Sequence, residues 1–308
     1  MFGDSNQAQE KVIQMKQVVF GRSVQGASHI RSETECQDSY KRTICDDGTI
    51  ILSVADGHGS KACPYSRTGS RIAVNVFCSI LKNLYDGYAG NIEQLLTYLN
   101  REGDTRISKA IDDEWKKRVI EVHRKNKREI PILENGTDDL SGVYKKYGTT
   151  LLGLMITKSF VFAFQLGDGD ICFTSSNGVD MVIEPEKILG VETHSLSREN
   201  AWEKAITIVR RINIEETLPA MFTLSTDGFA NSYKNENEFR TTLNDYFAMI
   251  NEHGAKTISD NLPIWLSETS SMGCGDDITL LFAYYYSSGE SNAMSVADNT
   301  ESKEDAIE

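Results

Sequence analysis

Thr49-Ile50-Ile51-Leu52-Ser53-Val54-Ala55-Asp56-Gly57-His58-Gly59-Ser60 opens as an apolar, β-branched run and stops abruptly at Asp-Gly-His-Gly. The run reads as a buried strand. The glycines let the backbone turn tightly and approach a ligand closely. A carboxylate and an imidazole therefore stand together at the end of a core strand. The pattern recurs: Phe160–Leu166 runs into Gly167-Asp168-Gly169-Asp170, and Met221–Thr226 runs into Asp227-Gly228. In inverted order, Gly275-Asp276-Asp277 leads into Ile278–Tyr284. Taken singly, Asp-Gly is the commonest hairpin turn dipeptide, and Asp46-Asp47-Gly48 and Asp86-Gly87 read as turns. Several apolar strands that each end in Asp are harder to explain so, because clustered carboxylates repel unless a cation neutralises them.

The chain has 308 residues, 40% hydrophobic and 25% charged, which suits a globular protein with a sizeable core. No apolar run reaches the roughly 20 residues of a membrane helix, and the polar start lacks the apolar segment of a secretory signal. Six cysteines without a C-x-x-C pair argue against a disulfide framework or a zinc site and point to the cytoplasm. The net charge of −13 argues against a nucleic-acid partner.

Residues 1–16 read as a loose leader, 17–286 as the folded domain and 287–308 as a disordered acidic tail. Gln17–Val24 is expected as the first strand, followed by a polar loop to Tyr40. Gly21 and Gly26 are spaced as in a phosphate-binding P-loop, but Ala27-Ser28 stands where Lys-Ser/Thr is required, which excludes one. Tyr40–Ile44 and Ile50–Ala55 form a hairpin. Apolar spacing predicts helices around Ala73–Leu84, Ile92–Leu99 and Ile107–Val122, the last running into a solvated basic end at Arg124–Arg128. Gly148–Ile156 pairs with Phe160–Leu166, and Ile171–Phe173 with Val179–Ile183. Trp202, Ala205, Ile206, Val209 and Ile212 suggest a short helix. Phe239–Ile250 gives another, and Pro263 interrupts Ile258–Leu266. This order is not βαβ alternation. It suits an α+β domain with antiparallel sheets packed on each other and helices outside.

From about Gly21 to Tyr286 the chain resembles the metal-dependent PPM/PP2C serine/threonine protein phosphatases in their bacterial form. Six segments carry the likeness in the family's order: Ser28-His29 through Cys36-Gln37-Asp38, Val54–Gly59, Tyr147–Thr150, Leu166–Gly169, Ser225–Gly228 and Gly275–Leu280. The resemblance implies a four-layer α/β/β/α sandwich, with a binuclear centre of Mn²⁺ or Mg²⁺ at one edge. By position, Asp56 would bridge both ions and the Gly57 carbonyl would bind one. Asp227 and Asp276 would complete the second, and Asp38 belongs to the same shell. Asp168 would pair with Asp227 on the third ion that bacterial members often carry. Gln37 stands where many relatives have Glu, Ser60 replaces the last Gly of the signature, and Gly169 replaces a Ser.

The implied reaction is hydrolysis of phosphoserine and phosphothreonine by direct attack of a metal-bridging water, with His58 as candidate general acid. Arg31 lies nearest the acidic motif as the candidate phosphate-binding residue, with His29 and Arg22 as alternatives. The 184–219 segment falls where the family has its variable flap. The implied partner is a phosphorylated protein, with a Ser/Thr kinase opposing the reaction, and the expected state is a monomer. Two other readings stay open: a catalytically weak relative that binds phosphoproteins, and a metallohydrolase of small phosphoesters.

Overall fold

In a computed structural model, which describes residues 14–184 and 193–288, all six residues of strand β3 (Ile50–Ala55) are buried. Successive side chains of a strand point to opposite faces, and here each face meets a different layer. Ile50, Leu52 and Val54 pack with Leu152, Phe222, Leu281 and Ala283 in a core between two sheets. Ile51 and Ala55 pack with Ala73, Phe77, Leu81 and Trp115 from helices on the outside. Burial on both faces is why the strand reads as a continuous apolar run rather than an alternation.

The first sheet has the order β2 (Ser39–Ile44), β3, β4 (Leu151–Ile156), β5 (Phe160–Leu166) and β8 (Ile206–Arg211). The second has the order β1 (Met15–Val24), β10 (Ile278–Ser287), β9 (Ala220–Ser225), β6 (Asp170–Ser175) and β7 (Gly178–Met181). Every paired strand is antiparallel. Helices α2 (Ser66–Gly87), α3 (Ile92–Glu102) and α4 (Ser108–Lys125) cover the first sheet. Helices α7 (Glu236–His253) and α8 (Ala255–Met272) cover the second through Phe239, Leu243, Ile258 and Leu262, which meet Phe282 and Tyr284. The four-layer α/β/β/α sandwich expected from the sequence is the fold. Among the described residues no helix is long and apolar enough to cross a membrane.

Four local expectations are corrected. The segment 206–211 is an edge strand paired with β5, not a helix; only Ala201–Lys204 forms a helical turn. Ile206, Thr207, Ile208 and Val209 are four consecutive β-branched residues, which favours the pleated form over the helix. Pro263 does not interrupt α8. It lies on the partly exposed side beside the exposed Ile264, while Leu262 and Leu266 are buried and hold the helix on its sheet. The basic end of α4 is not wholly solvated: the Arg128 guanidinium stacks 3.6 Å from the Tyr65 ring and donates to the Tyr147 hydroxyl. Strand β4 begins at Leu151, and residues 148–150 hold the site instead.

The polar loop after β1 contains a short helix, α1 (Ala27–Arg31), and β1 begins two residues earlier than expected. The bulk of the expected leader (1–13) and tail (289–308), and residues 185–192 of the expected flap, lie outside the described residues.

Candidate metal centre

The carboxylate at the end of β3 is held through its backbone. Asp56 N–H donates to Thr150 Oγ1 at 2.9 Å, while its carbonyl accepts from Thr149 Oγ1 at 2.7 Å and from Thr150 N–H at 2.8 Å. Gly57 bridges Thr149, and His58 N–H donates to the Gly148 carbonyl at 3.1 Å. The Tyr147–Thr150 motif therefore acts as a clamp on Asp56-Gly57-His58. A Cβ on Gly57 would come within 2.8 Å of the Gln37 carbonyl and 2.9 Å of the Ser66 carbonyl, so a residue without a side chain is required there.

The other carboxylates arrive from both sheets. Asp38 precedes β2, Asp168 follows β5, Asp227 opens the short helix α6 (Asp227–Ala230) after β9, and Asp276 precedes β10. Gln165 Nε2 steadies the Asp168 turn by donating to the carbonyls of Gly167 (3.1 Å) and Gly169 (2.8 Å). Asp168 Oδ2 accepts from Thr193 Oγ1 at 2.6 Å. Asp227 Oδ2 accepts from Asn231 Nδ2 at 2.9 Å, and Asp276 Oδ1 accepts the N–H of Asp277 at 2.8 Å.

Mutual repulsion marks the cluster. Burial first, then the fields of Asp38, Asp227, Asp276 and Asp168, push the Asp56 carboxyl well above the ordinary carboxylate range. Burial and the fields of Asp168 and Asp276 push Asp227 up to about 6, against a hydrogen bond with Asp56 that draws it down. Burial and the field of Asp277 push Asp38 up to about 8, against hydrogen bonds from Thr226 and Thr279. The five carboxylates named from the sequence (Asp38, Asp56, Asp168, Asp227 and Asp276) thus act on one another at one edge of the sandwich.

Among the described residues no three His, Cys, Asp or Glu side chains already close on one ion-sized point. The fit to a cation rests on donor chemistry. Asp38 Oδ2 accepts from Thr226 Oγ1 (2.7 Å) and Thr279 Oγ1 (2.8 Å), but its Oδ1 is buried with no hydrogen-bond partner. An orphaned carboxylate oxygen amid like charges is what a divalent cation would satisfy, and an oxygen-rich donor set suits Mg²⁺ or Mn²⁺.

Arg31 and Arg22 are both exposed, whereas His29, two residues before Arg31 on α1, lies against Asp276 and Asp277. Sequence reasoning passed over Asp277, which is 4% exposed and accepts from the backbone N–H of Gly26 and of Gln37, each at 2.7 Å. It also passed over Thr226 and Thr279 as the donors to Asp38. The adjacency Asp276-Asp277 was the available signal: at a strand entry, neighbours face opposite ways, and one of the two must turn inward.

Beyond Gly148 a cleft of about 410 Å³ opens between α5 (Leu140–Lys145) and residues 194–204, lined in part by Lys145, His194, Ser197 and Arg198. A Cβ on Gly148 would lie 2.5 Å from His58 Cδ2 and 3.4 Å from Ser197 Oγ, so the cleft adjoins the His58 turn.

The family model for Protein phosphatase 2C matches residues 25–267. No curated protein matches the chain by sequence. Among solved structures, the chain is similar to the catalytic domain of the serine/threonine protein phosphatase PstP in complex with two manganese ions, at 13% identity and a TM-score of 0.54, covering 89% of this chain and 100% of that one. It is also similar to the Mycobacterium tuberculosis phosphatase PstP/Ppp, at 15% identity and a TM-score of 0.53, covering 89% and 99%. A third is the S. agalactiae serine/threonine phosphatase, at 14% identity and a TM-score of 0.52, covering 88% and 99%. At these identities the likeness establishes the fold.

Proposed function

This chain belongs to the protein phosphatase 2C family, and on that premise we propose that it is a metal-dependent phosphatase of phosphoserine and phosphothreonine in proteins. The observation that carries the reading is the convergence of Asp38, Asp168, Asp227 and Asp276 on Asp56, with Asp38 Oδ1 buried and unpartnered. Asp56, the Gly57 carbonyl, Asp227, Asp276 and Asp38 would hold two Mn²⁺ or Mg²⁺ ions, and Asp168 with Asp227 would serve a third. Such ions, when bound, lower the pKa of a coordinated water and neutralise charge on the transferring phosphoryl group.

The remaining work falls to side chains. Thr149 and Thr150 fix the direction of Asp56 through its backbone. His58, carried on the same turn, donates the proton that the departing serine or threonine oxygen needs. The cleft beside it, with Lys145 and Arg198 on its walls, receives the chain that flanks the phosphorylated residue. A substrate of this kind is made by a Ser/Thr kinase, which this enzyme would oppose, and we place it in the cytoplasm as a monomer.

The test is Mn²⁺-dependent hydrolysis of a phosphothreonine peptide by the wild type and by Asp227→Asn. Activity that requires the ion and falls on the order of 10³-fold in the variant, about 4 kcal/mol of transition-state stabilisation, is the expected result. A wild type that binds Mn²⁺ yet turns over no phosphopeptide would overturn the catalytic reading in favour of phosphoprotein binding. Faster turnover of small phosphoesters than of peptides would overturn the substrate class.

A further inference from the structure

Helix α1 is only five residues long, and its course is set by the turn that enters β10. Gly26 N–H donates to Asp277 Oδ1, Ala27 N–H to Ser270 Oγ at 3.0 Å, and Ser28 N–H to the Gly275 carbonyl at 2.8 Å. A Cβ on Gly26 would lie 2.3 Å from the carbonyl carbon of Asp276, so only glycine allows this approach. The consequence is that His29 is pressed onto the aspartate pair.

His29 Nδ1 lies 2.8 Å from Asp277 Oδ1. Both oxygens of Asp277 act as acceptors toward backbone N–H groups, so the hydrogen in the His29 contact is the one on Nδ1. In the neutral ring, that arrangement leaves the lone pair on Nε2. Nε2 faces the other way, 3.8 Å from Asp276 Oδ1, which is too long for a hydrogen bond.

A second observation points to the same place. Gln37 Oε1 is buried without a hydrogen-bond partner, on a residue 8% exposed. A Cβ on Gly59 would be 2.6 Å from Gln37 Oε1 and 3.6 Å from His29 Nε2. An unsatisfied amide oxygen and an imidazole nitrogen therefore flank the same glycine of the Asp-Gly-His-Gly turn. A histidine that binds a metal nearly always donates its other ring N–H to a carboxylate or carbonyl, and the arrangement here has that form.

We infer that His29 Nε2 is a ligand of the metal centre, with Gln37 Oε1 beside it and Asp277 as the positioning residue that orients the ring. The inference rests on the metal-centre reading above and adds a nitrogen to a donor set that would otherwise be all oxygen. Carboxylate, carbonyl and water suit Mg²⁺ and Mn²⁺ alike, so the His29 imidazole is the one donor through which the centre would favour Mn²⁺, a first-row transition ion, over Mg²⁺.

The experiment uses the full chain loaded with Mn²⁺ and reads nitrogen hyperfine coupling by electron spin echo spectroscopy, with Mn²⁺ and Mg²⁺ affinities from calorimetry. The wild type is expected to show coupling to an imidazole nitrogen. The signal is lost in His29→Gln and kept in His58→Gln. Mn²⁺ affinity falls at least about 10-fold in His29→Gln and about 10–100-fold in Asp277→Asn, with a smaller loss for Mg²⁺ in His29→Gln. A wild type that binds Mn²⁺ without nitrogen coupling overturns the assignment, whatever the variants do. So does a His29→Gln protein that keeps both coupling and affinity. A wild type that binds no Mn²⁺ fails differently: it removes the metal centre itself, and this ligand with it.

Discussion

Asp277 and Asp38 are both buried, 4% and 7% exposed, at the same edge of the sandwich, and their surroundings treat them in opposite ways. Asp277 accepts from Gly26 N–H, Gln37 N–H and His29 Nδ1, so both of its oxygens are satisfied by the protein. Asp38 accepts from two threonine hydroxyls at one oxygen and from nothing at the other, while the field of Asp277 adds to the burial that pushes its carboxyl up to about 8. The contrast teaches that buried charge at this edge has two uses. Asp277 is an anchor completed by the chain, tying α1, Gln37 and β10 together. Asp38 keeps one buried oxygen unpartnered, where the proposed cation would bind.

Asp277→Ala leaves two buried backbone N–H groups without acceptors and frees His29, and removing one member of a buried charged network costs about 3–5 kcal/mol. Urea unfolding of the metal-free protein is expected to show a loss of that size. A loss under about 1 kcal/mol would mean that α1 is held by Ser28 and Ala27 alone, and the two aspartates would no longer differ in kind.

These opposite roles were only partly legible in the sequence. The strands that end in Asp56, Asp168 and Asp227 could be read because an apolar run followed by Asp-Gly leaves a local mark. Thr149 and Thr150 were visible as a motif but not as a clamp, since their hydrogen bonds cross to Asp56, more than 90 positions away in the chain. Arg31 stood ahead of His29 only by its nearness to the acidic motif, because a five-residue helix carries too few residues for a periodicity to say which side faces inward. The misreading of 206–211 has the reverse cause: Ile206, Val209 and Ile212 fall at helical spacing, while the run of β-branched residues between them sets the strand. Asp277 was hidden by Asp276, since two adjacent acids carry no sign of which one is buried.

Asp38→Asn replaces a carboxyl that, in the folded metal-free chain, burial and the field of Asp277 force to keep its proton up to about pH 8, with an amide that needs none. Where removal at Asp277 destabilises, this change is expected to stabilise the metal-free protein by about 1–2 kcal/mol, since sparing that proton outweighs one weakened acceptor. The same variant is expected to bind Mn²⁺ at least about 10-fold more weakly. Thermal melting in chelator, beside a Mn²⁺ titration, reads both signs. A lower melting temperature in chelator would show that Asp38, like Asp277, serves the fold.

The pH dependence of the metal-free protein isolates the charge itself. Asp227 and Asp38 titrate near 6 and near 8 in the folded chain, raised by burial and by neighbouring carboxylates, against about 3.9 for an unfolded Asp. Between these values the folded state keeps protons that the unfolded state has released. Their contribution to stability is therefore complete below about pH 4 and is lost as pH rises through 6 and then 8. In chelator, the melting temperature is expected to fall between pH 5 and pH 8.5, and the slope above pH 7 to flatten in Asp38→Asn. Added Mn²⁺ replaces the lost protons as the neutralising charge, so the rise it produces is larger at pH 8 than at pH 5. A melting temperature that climbs from pH 5 to 8.5 in chelator would mean that the strand-end carboxylates do not repel one another, and Asp38 would then need no cation to be stable where it lies.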